Sequence, residues 1–237
     1  MVLWIIKKKK EVWNHMKLNA YIDHTKLGPL VTKEQIDVLI EEAIKYQFKS
    51  VCVTPLWVSY AKEKLAHTNV LVCTVVGFPH GTNIPKVKAF ETKEAIKAGA
   101  DEIDMVVNVA AVKALDRKMV LADIKAVVKA SQGKTVKVII ETAYLDKKEI
   151  TFVSKLVVKA KAQFVKTSTG YASRGASLED VKIIKKAVKD TALIKASGGI
   201  KSSEDAVKMI EAGANRLGTS SGVKLIEGET LNGNTSY

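Results

Sequence analysis

The sequence predicts a single (β/α)8 barrel, a TIM barrel of the α/β class, and three observations carry that reading. Short β-branched runs alternate with amphipathic helical stretches. An Ala-Gly-Ala pattern recurs where a helix hands over to a strand, and about eight such units fit a chain of 237 residues. An open doubly wound sheet normally carries a Gly-x-Gly-x-x-Gly turn, and this sequence has none.

Taken in order, the first strand is read over Ala20–His24 and the first helix over Lys33–Tyr46. There a Thr32-x-x-Gln35 capping box precedes Ile36, Leu39, Ile40 and Ala43 on one face. Further strands are expected at Ser50–Val53, Val70–Val76, Glu102–Val107, Lys137–Glu141, Phe164–Lys166, Leu193–Lys195 and Arg216–Gly218. Runs this apolar suit strands covered on both faces, as in a parallel sheet. Val181, Ile184 and Val188 stripe one late helix, and Ala206, Val207 and Ile210 another. Gly99 and Gly213 sit where a left-handed residue would end a helix, and Ala160-Lys161-Ala162 is a degraded copy of the same turn.

Composition narrows the class. Hydrophobic residues make up 47% and charged residues 27%, which fits a packed globular chain and excludes disorder. The net charge of +13 is nearly all lysine spread along helices. A solvated lysine-rich surface outweighs a nucleic-acid stripe, and the same positive field suits phosphorylated metabolites. Cys52 and Cys73 form no disulfide framework, and Cys52 is read as an inward core thiol rather than a nucleophile. No apolar run approaches a membrane span, and residues 1–15 read as an extension outside one domain over 16–237. The expectation is a cytoplasmic protein without nucleic-acid or membrane partners, and with no cofactor.

In such a barrel, polar residues at the C-terminal ends of strands carry the chemistry. Alternation turns Lys166 and Lys195 inward, opposite Val165 and Ile194, on successive strands about 4.8 Å apart. Two buried ammonium groups that close disfavour each other's charge, so at least one becomes an amine able to attack a carbonyl. The alternative is a structural ion pair between one lysine and Asp104 or Glu141. Asp104, Val106 and Asn108 share a face, and spacing leaves Asp104 open between relaying a proton and balancing charge. Asp101 and Glu102 are expected to face solvent, and Glu141 to pair with Lys137.

Gly198-Gly199 before a helix start at Ser202-Ser203-Glu204-Asp205, and Gly218-Thr219-Ser220-Ser221-Gly222 after the last strand, are candidate phosphate loops. Similar turns also serve as plain connectors. His15, His24, His67 and His80 lack metal-ligand spacing, though His24 and His80 could share one mouth, so no metal is expected.

Several of these segments together resemble the deoxyribose-phosphate aldolases. They are Val165-Lys166-Thr167-Ser168-Thr169-Gly170, Lys195-Ala196-Ser197-Gly198-Gly199-Ile200 and Gly99-Ala100-Asp101-Glu102-Ile103-Asp104. With them go Ile22-Asp23-His24-Thr25, Val72 through Gly81, and Gly213 through Ser221, in order across about residues 18–224. The resemblance implies a barrel that reversibly cleaves 2-deoxy-D-ribose 5-phosphate to acetaldehyde and D-glyceraldehyde 3-phosphate. It implies Lys166 as the Schiff-base lysine, Lys195 and Asp104 as its proton-handling partners, and Asp23 as support for the relay. It also implies phosphate contacts at Gly170, Gly198, Gly199, Gly218, Ser220 and Ser221, and a mobile terminal Tyr237; barrels of this type often pair through helical faces, so a homodimer or higher homo-oligomer is expected. Where some family members carry lysine after Thr-Gly, this chain has Tyr171, which leaves Arg174 as the candidate for the missing charge.

Overall fold

A computed structural model of the chain describes residues 18–228. Residues 1–15 and Tyr237 therefore lie outside the described residues. Eight parallel strands close into a barrel in sequence order. The first half runs β1 (Ile22–Lys26), α1 (Lys33–Lys45), β2 (Ser50–Val53), α2 (Val58–Lys64), β3 (Leu71–Val76), α3 (Pro85–Lys97) and β4 (Glu102–Val106). Next come α4 (Val109–Lys113), α5 (Arg117–Ala130), β5 (Thr135–Ile139), α6 (Lys147–Lys159), β6 (Phe164–Lys166) and α7 (Leu178–Val188). The circuit closes with β7 (Leu193–Ser197), α8 (Ser203–Glu211), β8 (Arg216–Thr219) and α9 (Gly222–Glu227).

Local chemistry sets these boundaries. Helix starts carry side-chain acceptors for otherwise unpaired N–H groups: Asn108 on Ala111, Asp116 on Met119, Asp146 on Glu149, Ser177 on Asp180 and Ser202 on Asp205. At α1 the expected cap appears as the Thr32 N–H donating to Gln35 Oε1 at 3.2 Å. Gly99 and Gly213 end their helices with φ of 106° and 118°, and Lys161 takes the equivalent left-handed position at 65°. The first strand begins later than expected because residues 18–21 form a 3-10 turn.

Alternation divides the strands between two environments. Outward residues Ile22, Val51, Val72, Ile103, Met105, Val136, Val138, Val165, Ile194 and Leu217 pack under the helices in one large core. Each buried branched side chain contributes about 1.5–3 kcal/mol, so this layer holds the barrel closed. Inside, a small cluster of Leu27, Cys52, Cys73 and Val75 fills one side. Beside it the interior holds charged residues, with the Phe164 ring against Lys137 and Arg216 and the Ser50 hydroxyl on Asp23. His24 falls on the outer face, against Phe48 with Nε2 2.6 Å from Glu42, while His80 is exposed, so the two do not share a mouth.

Candidate active site

The register pairs Lys166 directly with Lys195 across β6 and β7, and Asp104 with Lys137 across β4 and β5. Parity then sends all four side chains into the barrel, where each is at most 1% exposed. Both Lys166 Nζ and Lys195 Nζ donate to Asp104 Oδ2 at 2.8 Å. Lys137 Nζ donates to Asp104 Oδ1 at 2.8 Å, and the Cys73 thiol donates to the same oxygen at 3.1 Å.

A second tier lies beneath. Lys195 Nζ is 2.5 Å from Asp23 Oδ2, and Asp23 Oδ1 accepts from Ser50 and from Arg216. Arg216 also grips Glu102 through both terminal nitrogens, and Lys137 lies 2.7 Å from Glu102. Burial alone would raise the Asp104 carboxyl, but Lys137, Lys166 and Lys195 together hold it well below the usual range. Burial acts the same way on Asp23, and Lys195, Arg216 and Lys137 outweigh it to keep that carboxyl low. Burial would discharge Lys195, yet Asp104 and Asp23 hold its ammonium well above the ordinary lysine value. Lys137 is likewise held charged against burial by Asp104, Cys73 and Glu102.

The structure therefore brings together four of the predicted residues, Lys166, Lys195, Asp104 and Asp23, and adds Lys137, Arg216, Glu102 and Cys73. Glu102 does not face solvent. It is 3% exposed because the first residue of β4 already points inward, facing Arg216. Lys137 pairs with Asp104 and Glu102 rather than with Glu141, whose carboxylate accepts from Thr169. Asn108 leaves the Asp104 face altogether, since β4 ends at Val106 and Asn108 caps α4.

At the strand ends the glycines converge. Gly170, Gly198 and Gly199 adopt φ of 92°, 70° and 73°, a region that favours glycine. A Cβ on Gly198 would lie 3.2 Å from Gly175 Cα, and one on Gly175 would strike the Gly198 carbonyl carbon at 2.2 Å. Gly175 is thus a member that sequence reasoning misses. Ser220 and Ser221 follow β8 at the same end, half-buried. Gly218 matters for steric reasons, since a Cβ there would sit 2.6 Å from Ser197 Oγ and 3.0 Å from Lys195 Cε. Arg174 does not stand free for an anion. Its guanidinium bonds Asp180 and donates to the Thr142 carbonyl at 2.9 Å. Tyr171 donates from its hydroxyl to the Leu27 carbonyl at 3.2 Å and meets Phe78 edge-on.

Among the described residues, Cys52, Cys73 and Asp104 bring potential metal-ligand atoms within 4.8 Å of one another. The Asp104 oxygens are taken by three lysine Nζ atoms, and the charge on Lys137 and Lys195 repels a dication.

The DeoC/LacD family aldolase model matches residues 17–228. The chain belongs to that family. This aldolase is 77% identical to the deoxyribose-phosphate aldolase of Acholeplasma laidlawii over 222 residues, covering 94% of this chain and 100% of the relative. It is 55% identical to that of Metamycoplasma arthritidis over 212 residues, covering 90% and 98%. Among solved structures, the deoxyribose phosphate aldolase of Aeropyrum pernix superposes with a TM-score of 0.81 at 36% identity, covering 89% of each chain.

Proposed function

We propose that this aldolase reversibly cleaves 2-deoxy-D-ribose 5-phosphate to acetaldehyde and D-glyceraldehyde 3-phosphate through a Schiff base on Lys166. The observation that carries the reading is the shared oxygen: Lys166 and Lys195 both contact Asp104 Oδ2 at 2.8 Å. Four bases (Lys137, Lys166, Lys195, Arg216) face three carboxylates (Asp23, Glu102, Asp104). Lys166 contacts one of those carboxylates and each of the others at least two. Lys166 is the base least engaged by these acids, which suits it to the role of nucleophile.

The chemistry follows. The Lys166 amine adds to the C1 carbonyl, and Lys195 and Asp104 move protons as the carbinolamine loses water to a protonated imine. That cation draws electrons from the C2–C3 bond as the C3 hydroxyl loses its proton, releasing glyceraldehyde 3-phosphate and leaving an enamine. Protonation at C2 and hydrolysis then free acetaldehyde and the lysine. Preorganised charge of this kind is worth about 3–4 kcal/mol per donor at the transition state. Asp23 steadies Lys195 from below. Backbone N–H groups around Gly170, Gly198, Gly199, Ser220 and Ser221 are assigned to the phosphate, with Gly218 giving Lys195 room.

No helix among the described residues is long and apolar enough to cross a membrane. The Aeropyrum pernix relative is described as tetrameric, and a homo-oligomer acting on small phosphosugars in the cytoplasm is the matching reading for this chain. The test compares cleavage of deoxyribose 5-phosphate with that of hexose phosphates. Faster release of triose phosphate from deoxyribose 5-phosphate supports the assignment, and faster cleavage of a hexose phosphate overturns it.

A further inference from the structure

We propose that Glu141 is a positioning residue that fixes the spacing between the Lys166 amine and the phosphate-holding backbone at Gly170, by clamping Thr169 between them. The inference rests on the substrate reading above and adds a residue to it.

Glu141 follows β5 in a left-handed conformation, φ 53° and ψ 71°, which a residue other than glycine adopts only when its surroundings impose it. That twist removes its side chain from the alternation of β5. Its Oε2 accepts the Thr169 backbone N–H at 3.0 Å and the Thr169 hydroxyl at 2.5 Å. The same hydroxyl oxygen accepts the Tyr171 N–H at 3.1 Å. Two backbone bonds extend the seam: Ile140 N–H to the Lys166 carbonyl at 3.0 Å, and Thr142 N–H to the Thr167 carbonyl at 2.9 Å. The stretch from Lys166 to Thr169 is therefore tied to residues 140–142 at Lys166, Thr167 and Thr169. It starts at the amine and turns at Gly170, whose Cα would lie 3.9 Å from a Cβ on Gly198.

Packing alone does not explain an acid here. Glu141 is 3% exposed, and among the described residues its Oε1 has no hydrogen-bond partner and no ion pair within 4.0 Å neutralises it. Burial pushes its carboxyl above the usual range. An acid kept at that penalty points to a demand for one strong acceptor serving two donors of Thr169.

The test compares deoxyribose 5-phosphate with unphosphorylated 2-deoxyribose in Glu141→Ala and Glu141→Gln, alongside borohydride trapping of acetaldehyde. A misplaced phosphate grip should lower kcat/KM of Glu141→Ala by about 100-fold for the phosphorylated substrate, and only a few-fold for the other. Acetaldehyde carries no phosphate, so trapping on Lys166 should stay within a few-fold of the parent. Glu141→Gln keeps a carbonyl oxygen for both bonds and should recover most of the loss. Equal losses on both substrates, no loss on either, or a glutamine variant as impaired as the alanine variant would overturn the proposal alone. A parent enzyme that cleaves neither deoxyribose would instead overturn the substrate reading beneath it.

Discussion

Lys166 and Lys195 are register partners on adjacent strands whose side-chain nitrogens meet on one carboxylate oxygen, Asp104 Oδ2. Parallel pairing points both side chains inward at the same level, and a single acid from β4 reaches across to hold them. The division of labour between the lysines follows from what else each touches. Lys195 has a second acid, Asp23, and is the fixed cation. Lys166 meets Asp104 alone among these acids, and the proposed mechanism makes it the amine that reacts.

Asp104→Asn should damage both turnover and stability. Losing the acid that places two lysines is expected to reduce kcat by about 100- to 10,000-fold. Leaving buried ammonium groups without it should also cost about 3–5 kcal/mol. Steady-state kinetics and urea unfolding check the two halves, and near-normal values in both would contradict the arrangement.

The pH dependence of stability has a defined sign. Asp23 and Asp104 are both held below the usual carboxyl value of about 4. Their contribution is complete above that value and disappears as pH falls through their lower folded values. Glu141 and Asp123, both raised by burial, act oppositely and weaken the fold as pH rises past the usual value. Urea midpoints should therefore fall steeply only below about pH 4. Asp23→Asn should flatten that acid limb, and an unchanged limb would count against the assignment.

Outside the barrel, Lys88 and Asp123 form a fully buried ion pair at 2.8 Å between α3 and α5. They also bind the Val106 carbonyl and the Asn108 N–H, so they secure the end of β4 just beyond Asp104. Burial lowers the lysine and raises the acid. Lys88→Met alone should destabilise by about 3–5 kcal/mol, whereas Lys88→Met with Asp123→Leu should be much milder. Thermal unfolding of the two variants decides this, and equal losses would contradict it.

Gly218→Ala should act on Lys195. With a Cβ 2.6 Å from Ser197 Oγ and 3.0 Å from Lys195 Cε, the serine hydroxyl must move and the lysine stem must give by a few tenths of an ångström. Overpacking is expected to cost about 1–3 kcal/mol of stability. A shifted proton-handling group should reduce kcat by about 100-fold. Full activity would show that Lys195 has slack in its placement.

Much of this is legible in the sequence. Strand alternation alone places Lys166, Lys195 and Asp104 on the inner face, because their runs are short and keep strict parity. Where parity breaks, so does the reading. Counting in twos pairs Glu141 with Lys137, but β5 ends at Ile139 and the left-handed turn sends Glu141 to Thr169. Glu102 begins its strand and looks solvent-facing in one dimension, and Arg216 begins another with nothing local to mark its partner. Only closure of the barrel brings β4 and β8 across the interior so that they neutralise each other. Gly175 gives no local signal, since its close approach is to Gly198, far along the chain.

The most direct measurement is reductive trapping. The enzyme is incubated with acetaldehyde, reduced with borohydride and digested, and the modified peptide is located by mass spectrometry. One added ethyl group is expected, on Lys166, and is lost in Lys166→Ala. Labelling of Lys195 or another side chain in its place, or no labelling at all, would contradict it.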